Sequence, residues 1–160
     1  MRNALTLALV AVTSIAHAKG GAMDKNIAVV KRFEEEFKNR GHHEVIFETH
    51  AADCVIHFPD PRVTTREQVK ALGDQIAAAF PDVHVEVADS FAVDDKVVIR
   101  NVVKATHKGT FNGVPASNRP VTWTEMHIYR VAGGKIVEQW SEINLLGLLT
   151  QIGALPPPPK

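Results

Sequence analysis

The sequence predicts an α+β fold, with helices packed on one face of a curved, mainly antiparallel sheet, and three observations carry that expectation. Apolar residues recur at helical spacing through the first half of the chain, and Thr65 opens one such run with an N-cap signature. After Pro81 the apolar period falls from about 3.6 residues to about 2 and stays there as far as Asn144. Two tight-turn signals, Asp94-Asp95 and Gly133-Gly134, divide that alternating stretch into antiparallel pairs. Helices first and strands later is the order of an α+β domain, not of alternating βαβ units.

Residues 1–18, MRNALTLALVAVTSIAHA, combine a basic start at Arg2, an apolar run from Ala4 to Ala16, and the small-residue pattern Ala16-His17-Ala18. That is the layout of a secretory signal peptide with its cleavage site. The run is shorter than the roughly 20 apolar residues that span a bilayer, so no membrane anchor is expected. The mature chain is expected to be periplasmic or secreted, with one domain over residues 19–155 and a stiff, disordered Pro-rich tail at 156–160.

Without Arg2 the 18 basic residues become 17 against 18 acidic ones, a net charge of about −1. With no basic stripe, this balance argues against nucleic acid as a partner. Cys54 is the only cysteine, so an exported form has no internal disulfide and relies on its core. Its setting in Cys54-Val55-Ile56 predicts a small buried residue, not a nucleophile.

Each element follows from local pattern. Met23 to Arg40 predicts a helix, with Ile27, Val30, Phe33 and Phe37 on one side, Glu34 to Glu36 and Lys38 on the other, and Gly41 as the stop. His42 to His50 suits a second short helix, and Cys54 to Phe58 a strand ended by Pro59-Asp60-Pro61. Thr65 followed by Gln68 is a capping box for a helix to about Phe80. Alternation at Val83, Val85 and Val87 opens a strand to Val93, and the next runs from Lys96 to about Phe111, which sets Arg100 opposite Asp89 as an ion pair. A loop at Asn112 to Pro120 leads into the strand Val121 to Ala132, its partner returns from Lys135, and Leu145 to Ile152 is a terminal apolar stretch.

The last hairpin carries the chemistry. If Gly133 and Gly134 are its loop, Tyr129 faces Glu138, His127 faces Trp140, Glu125 faces Glu142, and Trp123 faces Asn144. Those eight side chains then share one face, and a face mixing aromatics, carboxylates, an imidazole and an amide suits a pocket wall. A dimer interface or a solvated face is the alternative, and a bulge would send half of the residues to the other side. In a pocket, adjacent carboxylates beside tryptophan favour protonation, which suits Glu125 or Glu142 to acid/base work with His127 as relay. His57, at the end of a strand, either faces the pocket mouth or caps the strand. No local spacing is a metal pattern; binding would need His57, His107 and His127 to converge.

The segments CVIHFPD, AAAFPDVHVEV, DDKVVIRNVVKATHKGTFNGVPASNRPVTW and IYRVAGGKIVEQWSEINLLGLLTQIGA together resemble the SnoaL-like polyketide cyclase (ester cyclase) family of the NTF2-like superfamily, from about Asn26 to Ala154. The resemblance implies a cone-shaped α+β barrel with its pocket in the mouth of the curved sheet, and a homodimer. It also implies ring closure by intramolecular aldol condensation, with an aspartate as acid/base and no metal or organic cofactor. Glu138, Trp140, Leu148 and Leu149 match the family motif E-x-W-x-x-x-D-x-x-x-L-L, but its aspartate position holds Asn144, which exchanges no proton near neutral pH. Asn144 is then a hydrogen-bond donor to a substrate oxygen, and the base passes to Glu142, Glu125, His127 or His107. The expected function is cofactor-free lyase, cyclase or isomerase chemistry on a small apolar carbonyl compound. The alternative is a non-catalytic periplasmic module that binds a small hydrophobic molecule.

Overall fold

The computed structural model describes residues 21–156; the segment read as a signal peptide lies outside the described residues, as do residues 157–160 of the tail. The first helix, α1, covers residues 21–34 and continues through a π-helical turn, Glu35–Asn39. Then come α2 (Val45–Thr49), β1 (His50–His57), α3 (Arg66–Ala79), β2 (His84–Val93), β3 (Lys96–Thr106), β4 (Pro120–Ala132), β5 (Lys135–Ile143) and α4 (Leu145–Ile152). The five strands form one sheet in the order β1-β5-β4-β3-β2, antiparallel except that β1 runs parallel to β5. The α+β class read from the sequence is the class observed.

Local chemistry accounts for the ends of the elements. The Thr65 side chain accepts from Gln68 N at 3.3 Å, and Gln68 Oε1 accepts from Thr65 N at 3.0 Å, so the capping box closes in both directions. Gly133 and Gly134 have φ of 57° and 74°, the left-handed pair that a two-residue hairpin turn demands. Asp89 pairs with Arg100 in register, and their side chains meet at 2.6 Å. Strand β1 begins earlier than expected, at His50, and β3 ends earlier, at Thr106. The terminal apolar stretch is a helix, with Asn144 as its N-cap and Gly153 left-handed at its end.

Helices and sheet enclose two apolar clusters. One joins Val30, Phe33, Phe37 and Ile46 to Val97, Ile99, Tyr129 and Ile136. The other joins Phe80, Val103, Phe111 and Trp123 to Leu148 and Ile152. Strand β2 is a sheet edge, and Asn39 covers part of it: its amide donates to Val85 O at 3.0 Å and accepts from Val85 N at 2.8 Å. Cys54 is buried, and burial pushes its thiol up to about 11. Among the described residues no helix is long and apolar enough to cross a membrane.

The loop after β3 docks on the end of α3 through Lys108 N and Gly109 N, each donating to Ala79 O at 2.9 Å. A Cβ on Gly109 would lie 2.4 Å from Ala78 O, a backbone atom with no room to retreat. Gly109→Ala is therefore expected to cost about 1–3 kcal/mol of stability, read from urea denaturation midpoints.

Candidate functional site

The inner face of β4 carries Trp123, Glu125, His127 and Tyr129 at alternate positions, and all four line a cavity of about 370 Å³ between the helices and the sheet. Most of its wall is apolar: Phe33 and Phe37 from α1, Val69, Leu72 and Ile76 from α3, and Phe80 beyond it. The polar groups gather at one place on the sheet. There the strand partner of β4 presents Gln139, Ser141 and Ile143, opposite Tyr129, His127 and Glu125.

That partnership corrects the expected face. The hairpin starts in the anticipated register, with Ala132 opposite Lys135 and Val131 opposite Ile136, but Arg130 then pairs with Glu138. Val137 is the extra residue of a bulge, and one inserted residue reverses which side every later residue faces. Glu138, Trp140 and Glu142 consequently lie on the outer face of the sheet, away from His127. There Trp140 stacks on His57 with ring centroids 5.3 Å apart and planes 9° apart, and Lys96 Nζ lies 5.2 Å from the indole centroid. Glu138 bridges His57 Nε2 at 3.0 Å and Arg130 Nε at 2.9 Å. So His57 faces outward, while the following Phe58, Pro59 and Asp60 reach the cavity.

Asn144 is not on the cavity wall either, although Ile143 and Leu145 on each side of it are. Its Oδ1 accepts from Gly147 N at 2.9 Å, which makes it an exposed N-cap. His107 is fully buried behind Phe80, with ring centroids 5.3 Å apart. Its Nδ1 accepts from Ser117 N at 3.2 Å, and its Nε2 has no hydrogen-bond partner among the described residues. His57, His107 and His127 thus occupy three separate places.

The sequence reading missed the residue that organises the cavity floor. The helical pattern puts Lys38 on the polar side of α1, yet its ammonium is buried against the sheet, 2.5 Å from Glu125 Oε2, 3.0 Å from Glu34 Oε2 and 2.9 Å from His127 Nε2. The same pattern puts Glu34 on that polar side, yet it is 2 % exposed. It accepts from Tyr129 Oη and from Asn101 Nδ2, the latter at 2.8 Å. A signal for Glu34 was available: it stands four residues after Val30, inside the apolar stripe of Val30, Phe33 and Phe37.

Glu125 is held on both oxygens. Trp123 Nε1 donates to Oε1 at 2.9 Å, and Lys38 and His127 Nε2 (3.1 Å) face Oε2. Burial alone would raise the Glu125 carboxyl, but the Lys38 charge and the His127 contact outweigh it and hold the group far below the usual carboxylate range. This reverses the sequence expectation of a carboxyl tuned upward by a second carboxylate, because the bulge removes Glu142 and α1 supplies a cation. Glu34 shifts the same way: burial opposes ionisation, and Lys38 overrides it. Lys38 in turn is raised, since the two carboxylates overcome its burial. Burial, then the neighbouring Glu34 charge, keeps the Tyr129 phenol protonated. Glu125 is therefore an ionised acceptor, with the His127 imidazole beside it at the floor.

Lys38→Met leaves two carboxylates buried without their cation and is expected to cost about 3–5 kcal/mol. The pH dependence should invert as well. In the unmodified chain the Glu125 contribution is present above its ordinary value near 4.5 and is lost as pH falls below it, because the folded-state value is depressed. In Lys38→Met the largest cause opposing burial is gone; burial is expected to outweigh the remaining His127 and Tyr129 contacts and raise both carboxyls, so stability rises as pH falls from neutrality. Denaturation midpoints measured across pH check both signs.

Comparison with known proteins places this geometry. The SnoaL-like polyketide cyclase family matches over residues 28–152. AclR from Streptomyces galilaeus, provisionally called a hydroxylase, is 33% identical, with 86% of this chain and 87% of that one covered and a TM-score of 0.77. IdmH from Streptomyces antibioticus, provisionally a polyketide cyclase, is 31% identical over 80% of this chain and 98% of its own, with a TM-score of 0.70. A protein of Jannaschia sp. CCS1, provisionally a SnoaL-like polyketide cyclase, is 26% identical over 84% and 95% of the two chains, with a TM-score of 0.75. No curated protein matches. The match over most of the chain, together with the shared architecture, makes this protein a member of the SnoaL-like polyketide cyclase family, on the NTF2-like fold.

Proposed function

We propose that the chain binds a small, largely apolar carbonyl compound in the cavity and takes a proton from the carbon beside the carbonyl, as cyclase, lyase or isomerase chemistry requires. The carrying observation is the convergence of His127, Glu125 and Lys38, within 3.1 Å of one another at the floor of an otherwise apolar cavity. In this reading His127 Nε2 is the general base, Glu125 stabilises the imidazolium that forms, and the Lys38 ammonium stabilises the developing enolate oxygen. Trp123, Tyr129 and Gln139 shape the wall. Two carboxylates share one ammonium in the cluster, so its charge balance favours a neutral ketone or ester over a carboxylate.

A second reading rests on Asn144. Where the family motif has an aspartate this chain has an N-cap amide, which favours a module that binds such a compound without transforming it. His127→Gln and Glu125→Gln are each expected to retain ligand affinity and lose at least about 100-fold in turnover; full activity in both excludes the catalytic reading. Asn144→Asp keeps the N-cap: unchanged ligand binding with no chemistry in that variant supports the binding module, whereas a gain of proton-transfer activity supports a pocket arranged for catalysis.

Export and dimerisation belong to the same proposal. N-terminal sequencing of the exported protein is expected to begin at Lys19, after the small-residue site. The outer sheet face exposes Val55, Phe91, Val93 and Met126. They stand among the pairs Asp89–Arg100 and Glu138–Arg130. A two-fold-related copy would meet apolar surface and both signs of charge there. Sedimentation is expected to report a dimer, and Phe91→Glu to return the monomer.

A further inference from the structure

We propose that His127 rests as the tautomer with its proton on Nδ1 and its Nε2 lone pair accepting from Lys38, and that Ser141, Gln139 and His50 are positioning residues imposing it through a one-way hydrogen-bond chain. The contacts are continuous. Lys38 Nζ lies 2.9 Å from His127 Nε2, and His127 Nδ1 lies 2.9 Å from Ser141 Oγ. Ser141 Oγ lies 2.9 Å from the Gln139 amide, whose other end is 3.1 Å from His50 Nε2. His50 Nδ1 lies 3.0 Å from Thr49 Oγ1, which donates to the Val45 carbonyl at 2.9 Å. Thr49, His50, His127, Gln139 and Ser141 are each at most 3 % exposed, so bulk water does not substitute for a missing partner.

The two ends of the chain have fixed roles, because an ammonium only donates and a carbonyl oxygen only accepts. Burial holds the His50 ring down to about 4, so near neutral pH it has one N–H and one lone pair. Starting from Lys38, donation to His127 Nε2 puts the ring proton on Nδ1, which donates to Ser141 Oγ. The Ser141 hydroxyl then donates to the Gln139 amide oxygen, and the amide nitrogen donates to His50 Nε2. His50 Nδ1–H donates to Thr49, whose hydroxyl is already committed to Val45. Starting from Val45 gives the same direction at every step.

In the structure the amide nitrogen of Gln139 lies on Ser141 Oγ. The chain needs the half-turn that exchanges the amide oxygen and nitrogen, an orientation of the same shape. The opposite direction would give Nε2–H the Glu125 Oε2 acceptor at 3.1 Å, but would set it against the nearer Lys38 ammonium at 2.9 Å. It would also take the Thr49 hydroxyl from the Val45 carbonyl.

His127 can receive a proton once the Lys38 N–H turns from Nε2 to the carbonyl oxygen of a bound compound, which frees the lone pair. When the C–H electron pair of a bound compound passes to its carbonyl as an enolate, the proton goes to Nε2, and Nε2–H finds Glu125 Oε2 at 3.1 Å. That use rests on the acid/base reading above; the tautomer itself does not. Imidazole nitrogen-15 shifts of the labelled mature chain, followed from about pH 6 to about pH 9, read the tautomer directly. The expected result is a pyrrole-type Nδ1 and a pyridine-type Nε2 for His127. Ser141→Ala removes the acceptor of Nδ1–H and should move the ratio toward Nε2–H by about fivefold or more, while Ser141→Thr should keep the wild-type ratio. A pyridine-type Nδ1 in wild type, or an unchanged ratio in Ser141→Ala, overturns the proposal. A wild-type Nδ1–H form together with a fully active His127→Gln overturns the acid/base reading and leaves the tautomer assignment standing.

Discussion

Glu34 and Glu125 meet at the Lys38 ammonium from different elements, and burial works against the charge of both. What keeps them ionised is the single ammonium of Lys38, in contact with both. The position of α1 over the sheet is therefore an electrostatic matter as much as an apolar one. Phe33 and Phe37 anchor the helix by packing, Asn39 ties its end to the edge strand, and the widened π-helical turn carries Lys38 between those contacts. With the helix so held, His127 sits between a fixed cation, a fixed anion and a buried hydroxyl. It has no freedom to act as an ordinary surface histidine.

Much of the fold was legible, and the reasons are local. The Thr65–Gln68 box, the diglycine turn and the Asp89–Arg100 register are short-range rules that the structure obeys. The site was half legible. Trp123, Glu125, His127 and Tyr129 share a face because β4 alternates without interruption, as strands do. The other half failed at Val137. Ile136-Val137-Glu138 contains neither glycine nor proline to mark a bulge, and both phases of β5 mix polar with apolar residues, so neither composition revealed the change of side. Lys38 failed for another reason. A lysine beside an apolar stripe reads as solvated until the carboxylate it meets is known, and that carboxylate comes from a strand far along the chain.

The relatives sharpen what the fold does and does not decide. Names as different as hydroxylase and polyketide cyclase occur on this architecture at comparable similarity. The scaffold supplies a cavity under a curved sheet, and the shared architecture does not by itself decide the chemistry. In this chain the few polar side chains at the cavity floor form a connected set that runs from α1 through β4 and β5 to the start of β1.

The separation of Lys38 from Glu125, 87 residues along the sequence, has a consequence for assembly. The β4–β5 hairpin is built from near neighbours, but on its own it presents a carboxylate, an imidazole and a serine hydroxyl on the side destined for the interior. Water must solvate that side until the N-terminal helix arrives with its counter-charge. Drying of the interior thus waits on a distant contact, and a chain lacking its first helix would retain a hairpin whose future inside still behaves as an outside.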